Sequence, residues 1–246
     1  MDDKFQHLYH RQLVESLFDD YAETFEDHLV QSLGYRGPQA MRAVVDRLAA
    51  SESDGMFDTV VDLGCGTGLC GAVVRDVARK LVGVDISSGM VEVAREKGRD
   101  GQAGSAGQLY DELMVRDAAA ALQAMPEESA DLVIAGDMFI YVWSTSLILS
   151  AVARVLRPTG TCVFTTERME DGETEEGWVE RVSERFAHSR SFIARACADA
   201  GLELTSCEAS DLRQDGLGGD GQAKYVPGDL YVVRRLQLET PASEVA

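Results

Sequence analysis

Short apolar runs alternate with amphipathic stretches along most of this chain. The runs at 59–63, 81–86, 109–115, 132–135 and 162–166 are too short for helices and rich in Val, Leu and Ile, so they predict buried strands. Between them, 69–78, 87–97, an Ala-rich segment ending at Met125, 147–156 and 192–200 carry the spacing of helices, with Ser87 or Ser88 capping one and Gly201 ending another. Alternation of this kind means a parallel sheet covered on both faces. Two strands, 202–208 and 229–236, close the chain with a loop but no helix between them, which lets the last one run antiparallel.

Ahead of the alternation lies a helical segment. Leu13, Leu17, Tyr21, Phe25 and Leu29 recur every four residues, Gly34 and Gly37-Pro38 close the run, and Pro38 opens a second helix faced by Met41, Val44, Val45 and Leu48. Glycine-rich stretches at 99–108 and 214–221, and an acidic one at 167–176, read as loops inside one domain. The expected organisation is one domain over 1–246, with a helical lid or cap over 1–57 and an α/β core over 58–246.

Composition narrows the partners. With 23 basic and 42 acidic residues the formal net charge is −19, which repels phosphate backbones and anionic headgroups, so neither nucleic acid nor membrane is expected. An acidic rim still suits a basic peptide. Five scattered cysteines (65, 70, 162, 197, 207) without a C-x-x-C pair, and an N-terminus without a signal-peptide pattern, point to a reducing cytoplasm. His7 and His10 sit at i and i+3 but have no third ligand nearby, so no metal is expected.

The chemistry concentrates at 60–68, VVDLGCGTG, where a strand ends and three alternating glycines turn the chain into a helix. Asp85 ends the next strand, where a carboxylate can accept the hydroxyls of a ribose. Gly66, Gly68 and Gly71 also match the G-x-G-x-x-G fingerprint of dinucleotide folds, so an NAD-dependent oxidoreductase is the competing class. Electrostatics separates the two: a pyrophosphate at this turn would meet the Asp62 carboxylate, whereas an ammonium group would be attracted to it. The acid before the turn therefore favours S-adenosylmethionine (SAM).

VVDLGCGTG, GVDISSGM, DLVIAGDMFIYV and VLRPTG, in that order across about 59–166, resemble the successive motifs of class I SAM-dependent methyltransferases. That resemblance implies a Rossmann-like, three-layer, seven-stranded sheet of order 3-2-1-4-5-7-6 with strand 7 antiparallel. A narrower resemblance, carried by LFDDYAETFEDHLVQSLGYRGP, RFAHSRSFIARACADAGLEL and Leu212-Arg213, is to a branch labelled TPR-repeat or Williams-syndrome-region methyltransferase-like, although no TPR repeat is present.

By this resemblance Gly64, Gly66 and Gly68, with Cys65 in the same turn, line the methionine part of SAM. Asp85 takes the ribose hydroxyls, and Ile86 presses on the adenine with Met90 as a second contact. Asp117 either meets the adenine amino group or caps the Ala-rich helix. Asp137 either stands where sulfonium and acceptor meet or is a solvated loop acid. Tyr21 and Phe25 share a helical face that either closes over the donor as a lid or is plain core. Arg36 either holds the methionine carboxylate or caps a helix. His188 is the candidate catalytic base, with a cap or surface role as its alternative.

The expected activity is methyl transfer from SAM to a small-molecule acceptor, with a peptide or protein acceptor also open. A SAM-binding protein without transfer activity is the third class.

Overall fold

The computed structural model describes residues 3–97, 108–217 and 223–236. Much of 99–108 and 214–221 falls outside the described residues. The strands are β1 (Phe57–Leu63), β2 (Ala78–Asp85), β3 (Glu112–Val115), β4 (Ala130–Ala135), β5 (Leu156–Met169), β6 (Trp178–Glu180), β7 (Phe186–Ser189), β8 (Leu202–Leu217) and β9 (Ala223–Arg235). The helices are α1 (Asp3–Tyr21), α2 (Gly37–Ala49), α3 (Leu69–Val74), α4 (Ser88–Lys97), α5 (Ala118–Ala124), α6 (Ser146–Val155) and α7 (Arg190–Asp199), with one π-helical turn at Asp27–Ser32.

Strands β3, β2, β1, β4 and β5 lie side by side and parallel. β9 runs antiparallel between β5 and β8. Alternate residues face opposite layers, as a pleated strand requires. Val61, Leu63, Val84, Val133 and Phe164 pack under α5, α6 and α7, whose contributions include Leu122, Leu149, Val152 and Ile193. Val60, Leu81, Leu132, Ile134 and Val163 pack under α2, α3 and α4, through Met41, Val45, Val74 and Ala94.

The strand count departs from the expected seven. The sheet has nine strands among the described residues, because the hairpin β6–β7 joins it at the far end of β5. Glu167 pairs with Ala187 of β7 and Gly228 of β9 at once, so these partners flank β5 on opposite sides. β7 therefore occupies the lane of β4 beyond the point where β4 ends, and the simple 3-2-1-4-5-7-6 path is interrupted there. The acidic stretch 167–176 is accordingly not all loop, since its first three residues continue β5.

Local differences have local causes. Leu109 and Tyr110 do not start β3 but turn inward, both buried against the underside of the glycine turn. The helix expected at 69–78 ends at Val74 and gives way to a 3-10 turn, Arg75–Val77. The helical segment before the sheet divides in two. α2 buries Met41, Val44 and Val45 in the core, whereas α1 leaves Leu13 and Leu17 half exposed. α2 thus packs as part of the core layer. No helix among the described residues is long and apolar enough to cross a membrane.

Candidate active site

A cavity of about 450 Å³ opens at the C-terminal ends of β1, β2 and β4, in the size range of small-molecule sites. Its floor is the turn after β1. Gly64 sits at φ +64°, and a Cβ there would lie 2.6 Å from Met138, so both backbone conformation and space require glycine. Gly71 is glycine for a different reason than a dinucleotide fingerprint would give. A Cβ there would collide with the Tyr110 hydroxyl. The third glycine makes room for a tyrosine of the protein itself.

Tyr110 donates its hydroxyl to Asp62 Oδ2 at 2.7 Å beneath the turn. Burial pushes the Asp62 pKa up to about 7, with Tyr110 pulling the other way. Asp62 is fully buried and does not form part of the cavity wall. Asp85 does, at the end of β2. Its Oδ2 accepts the Gly66 N–H at 2.8 Å and its Oδ1 accepts the Ser87 N–H at 2.9 Å, which clamps two loops together. Burial raises its pKa, while these N–H donors resist the rise. Each carboxylate oxygen has a lone pair left for a hydroxyl. Ile86 and Met90 supply an apolar wall beside it, and Asp117 forms the next part. Asp117 also caps α5, accepting the Ala120 N–H at 3.0 Å. Capping one helix does not exhaust a carboxylate.

The other half of the cavity is built around Asp137. This residue has φ +53°, and its N–H donates to Thr165 Oγ1 at 2.8 Å. Arg213, from β8, donates to Asp137 Oδ2 at 3.1 Å and also to Glu167 of β5. Asp137 is therefore a part-buried, paired acid and not a freely solvated one, and desolvation raises its pKa against the pull of Arg213. Arg185 donates through Nε to the Tyr141 hydroxyl at 3.3 Å. Phe18, Tyr141, Trp143 and Ile148 line this half as well.

Nine expected site residues thus meet in one cavity wall: Tyr21, Gly64, Cys65, Gly66, Asp85, Ile86, Met90, Asp117 and Asp137. Four lie off it. Asp62 and Gly68 belong to the layer behind, where Gly68 faces Leu109 and Tyr110. Arg36 is turned away, donating to the Tyr225 hydroxyl at 2.9 Å with its guanidinium 4.6 Å over that ring. His188 is fully buried in β7 and stacks on Phe192, with ring centroids 5.7 Å apart. Burial drives its pKa down to about 4 against a weaker opposing pull from the Val142 backbone. A buried ring off the wall cannot serve an acceptor as base.

Sequence reasoning missed the residues that reach the cavity from afar. Arg213 and Arg185 lie inside recognisable motifs that assign them no role, and nothing in the spacing marks Asp19. It ends the lining helix α1 on α4, accepting from Ser87 Oγ at 2.7 Å and the Gly89 N–H at 2.9 Å. Those bonds hold its pKa below the usual carboxylate value. Tyr21 hydrogen-bonds with His28, and its ring meets Phe25 edge-on at 5.4 Å.

Comparison with known proteins places this geometry. Residues 61–164 match the family model of a methyltransferase domain. The magnesium protoporphyrin IX methyltransferase of Synechocystis, solved with S-adenosylhomocysteine (SAH) bound, superposes with a TM-score of 0.67 at 18% identity, over 92% of this chain and 99% of that one. The fold is that of a class I methyltransferase. The cofactor of this methyltransferase fold is SAM, and the donor set fits it: two carboxylates and an apolar wall on one side, an aromatic compartment on the other.

Among sequence relatives, the malonyl-[acyl-carrier protein] O-methyltransferase of Enterobacter lignolyticus is 27% identical over 195 residues, 78% of this chain and 68% of the relative. The biotin biosynthesis bifunctional protein BioHC of Saccharophagus degradans is 26% identical over 126 residues. That match spans 50% of this chain but only 21% of BioHC.

Proposed function

We propose that this chain is a SAM-dependent methyltransferase acting on a small-molecule acceptor. The observation that carries the reading is the shared wall. Asp85, with acceptor capacity left on both oxygens, stands in the same cavity as Asp137, Tyr141 and Arg185. A donor held at the first group would present its reactive end to an acceptor at the second.

The residues would divide the work as follows. Asp85 binds the ribose hydroxyls, Ile86 and Met90 enclose the adenine, and Asp117 faces its amino group. The backbone of Gly64, Cys65 and Gly66 borders the methionine portion. Asp62 acts from behind, through the glycine turn that it supports with Tyr110. Tyr21 and the rest of α1 exclude water. The bound donor supplies an electrophilic methyl on a sulfonium, so the protein's task is alignment and exclusion of water. The resemblance of 17–38 and 185–204 to the Williams-syndrome-region branch supports placing the chain there.

NAD fits less well. Lys97 reaches the glycine turn, donating to the Thr67 carbonyl at 3.1 Å, but is already paired with Glu26. Titration calorimetry with SAM, SAH and NAD tests the reading. Binding of SAM and SAH is expected; binding of NAD alone would overturn it.

A further inference from the structure

We propose that the acceptor is a carboxylic acid with an apolar body, held by Arg185 and methylated on its carboxylate oxygen. This rests on the reading of the chain as a SAM-dependent methyltransferase.

The first ground is Arg185. Its guanidinium lies on the cavity wall, and only Nε has a protein acceptor, the Tyr141 hydroxyl. Its two terminal nitrogens meet no acceptor among the described residues. The neighbouring Arg213 is different, because Asp137 and Glu167 occupy its fork. A planar pair of N–H donors facing a cavity matches a carboxylate. Phe18, Tyr141, Trp143 and Ile148 surround the same space, which suits an aromatic or aliphatic body behind the acid.

The second ground is that, among the described residues, most groups able to act as a base at this end are engaged or off the wall. His188 is off the wall. Asp137 is engaged by Arg213 and Thr165. His10 donates from Nε2 to the Tyr141 carbonyl at 3.1 Å, so only its Nδ1 could take a proton, with the rings of Trp143 and Phe186 packed 5.3 Å away, and His28 spends its Nδ1 on the Tyr21 hydroxyl. The Tyr35 hydroxyl and the Cys70 thiol are held protonated by burial. An alcohol, phenol or ammonium acceptor must lose a proton before or during attack. A carboxylate is already deprotonated at neutral pH.

Charge points the same way. Asp137 and Glu167 offset Arg213 and Arg185, and Arg11 adds a positive charge to the same wall. The donor's sulfonium then adds one positive charge, which an anionic acceptor neutralises. An oxygen lone pair of the carboxylate forms the O–CH3 bond while the S–CH3 bond breaks, its electron pair staying on sulfur. The products are a methyl ester and SAH, and no proton is released. Both reacting charges disappear together, which a water-poor cavity favours.

The test uses the full chain saturated with SAH. Phenylacetate, cinnamate and octanoate are titrated calorimetrically, each against its primary amide and its alcohol. At least one acid is expected to bind about tenfold or more tightly than its amide, and Arg185→Gln to remove that preference while SAH affinity is kept. With SAM in place of SAH, that acid should give its methyl ester by mass spectrometry, without proton release in weak buffer. Acids that bind no better than their amides in the wild-type chain would overturn the proposal, whatever the variant does. So would an acid preference that survives Arg185→Gln, or one proton released per turnover. If SAH itself does not bind, the methyl-donor reading fails, and this proposal with it.

Discussion

Asp85 accepts the Gly66 N–H at 2.8 Å across the 19 residues that separate them in sequence. One carboxylate thus holds the glycine turn in shape and stands in the cavity wall. The two roles can be separated by substitution. Asp85→Asn keeps one good acceptor but loses charge-assisted bonds, each of which contributes roughly 1.5–3 kcal/mol. SAM affinity should fall about tenfold to a hundredfold, and melting temperature by less than in Asp85→Ala, since the amide leaves only one of the two N–H groups unpaired. Asp85→Ala should destabilise the protein without ligand further, since it strands the N–H groups of both Gly66 and Ser87. Calorimetry and thermal melts on both variants check this; equal SAM affinity in Asp85→Asn would remove the ribose assignment.

The pair Asp62–Tyr110 should leave a signature in pH. The Asp62 pKa is raised from 3.8 to about 7 in the folded chain. Its protonated form is favoured by folding, so its contribution to stability is complete below about pH 4 and is lost as pH rises through 7. Asp62→Asn should flatten that decline between pH 4 and 7. Tyr110→Phe should extend it upward, because the hydroxyl helps keep the carboxylate ionised. Denaturant melts at closely spaced pH values decide the matter, and an unchanged slope in Asp62→Asn would contradict it.

His188 works in the opposite sense. Its pKa is lowered from 6.5 to about 4, so the unfolded chain binds the proton more readily, and stability is lost as pH falls from 6.5 toward 4. His188→Leu should reduce this acid lability while leaving SAM binding intact. If His188→Leu instead abolishes methyl transfer without loss of stability, the residue is catalytic after all.

Local patterns explain what was legible in the sequence. The glycine turn, Asp85, Ile86 and Met90 all lie within the run from β1 through α3 and β2 to α4, whose geometry follows from short-range spacing. The Asp137–Arg213 contact bridges 76 residues and the Arg213–Glu167 contact 46, so no periodicity announces them. β6 and β7 are three and four residues long, too short for alternation to show. His188 is the only histidine in the second half of the chain, which makes it a candidate base in the sequence, and its place before a helix makes it a candidate cap. In the fold Ser189 is the cap of α7, accepting the Phe192 N–H at 3.2 Å, and the histidine points into the core. Asp19 was hidden among the acids of a polar helix.

The cap itself is the remaining test. α1 carries Phe18 and Tyr21 into the cavity wall and leaves Leu13 and Leu17 half exposed. Its C-terminal end is tied down through Asp19, which accepts bonds from Ser87 and from the backbone at the start of α4. A helix held by a polar clasp and a few rings can open at far smaller cost than one buried in a core. SAM should therefore slow hydrogen exchange at the amides of residues 17–29. Asp19→Ala should speed exchange there and weaken SAM binding, although Asp19 is not part of the cavity wall. Tyr21→Ala should reduce affinity or turnover more than stability. A fixed structural helix would give another pattern, with equal protection with and without SAM, and a loss in Tyr21→Ala of the ~3–5 kcal/mol expected for removing a large core aromatic. That outcome would reassign α1 from gate to packing.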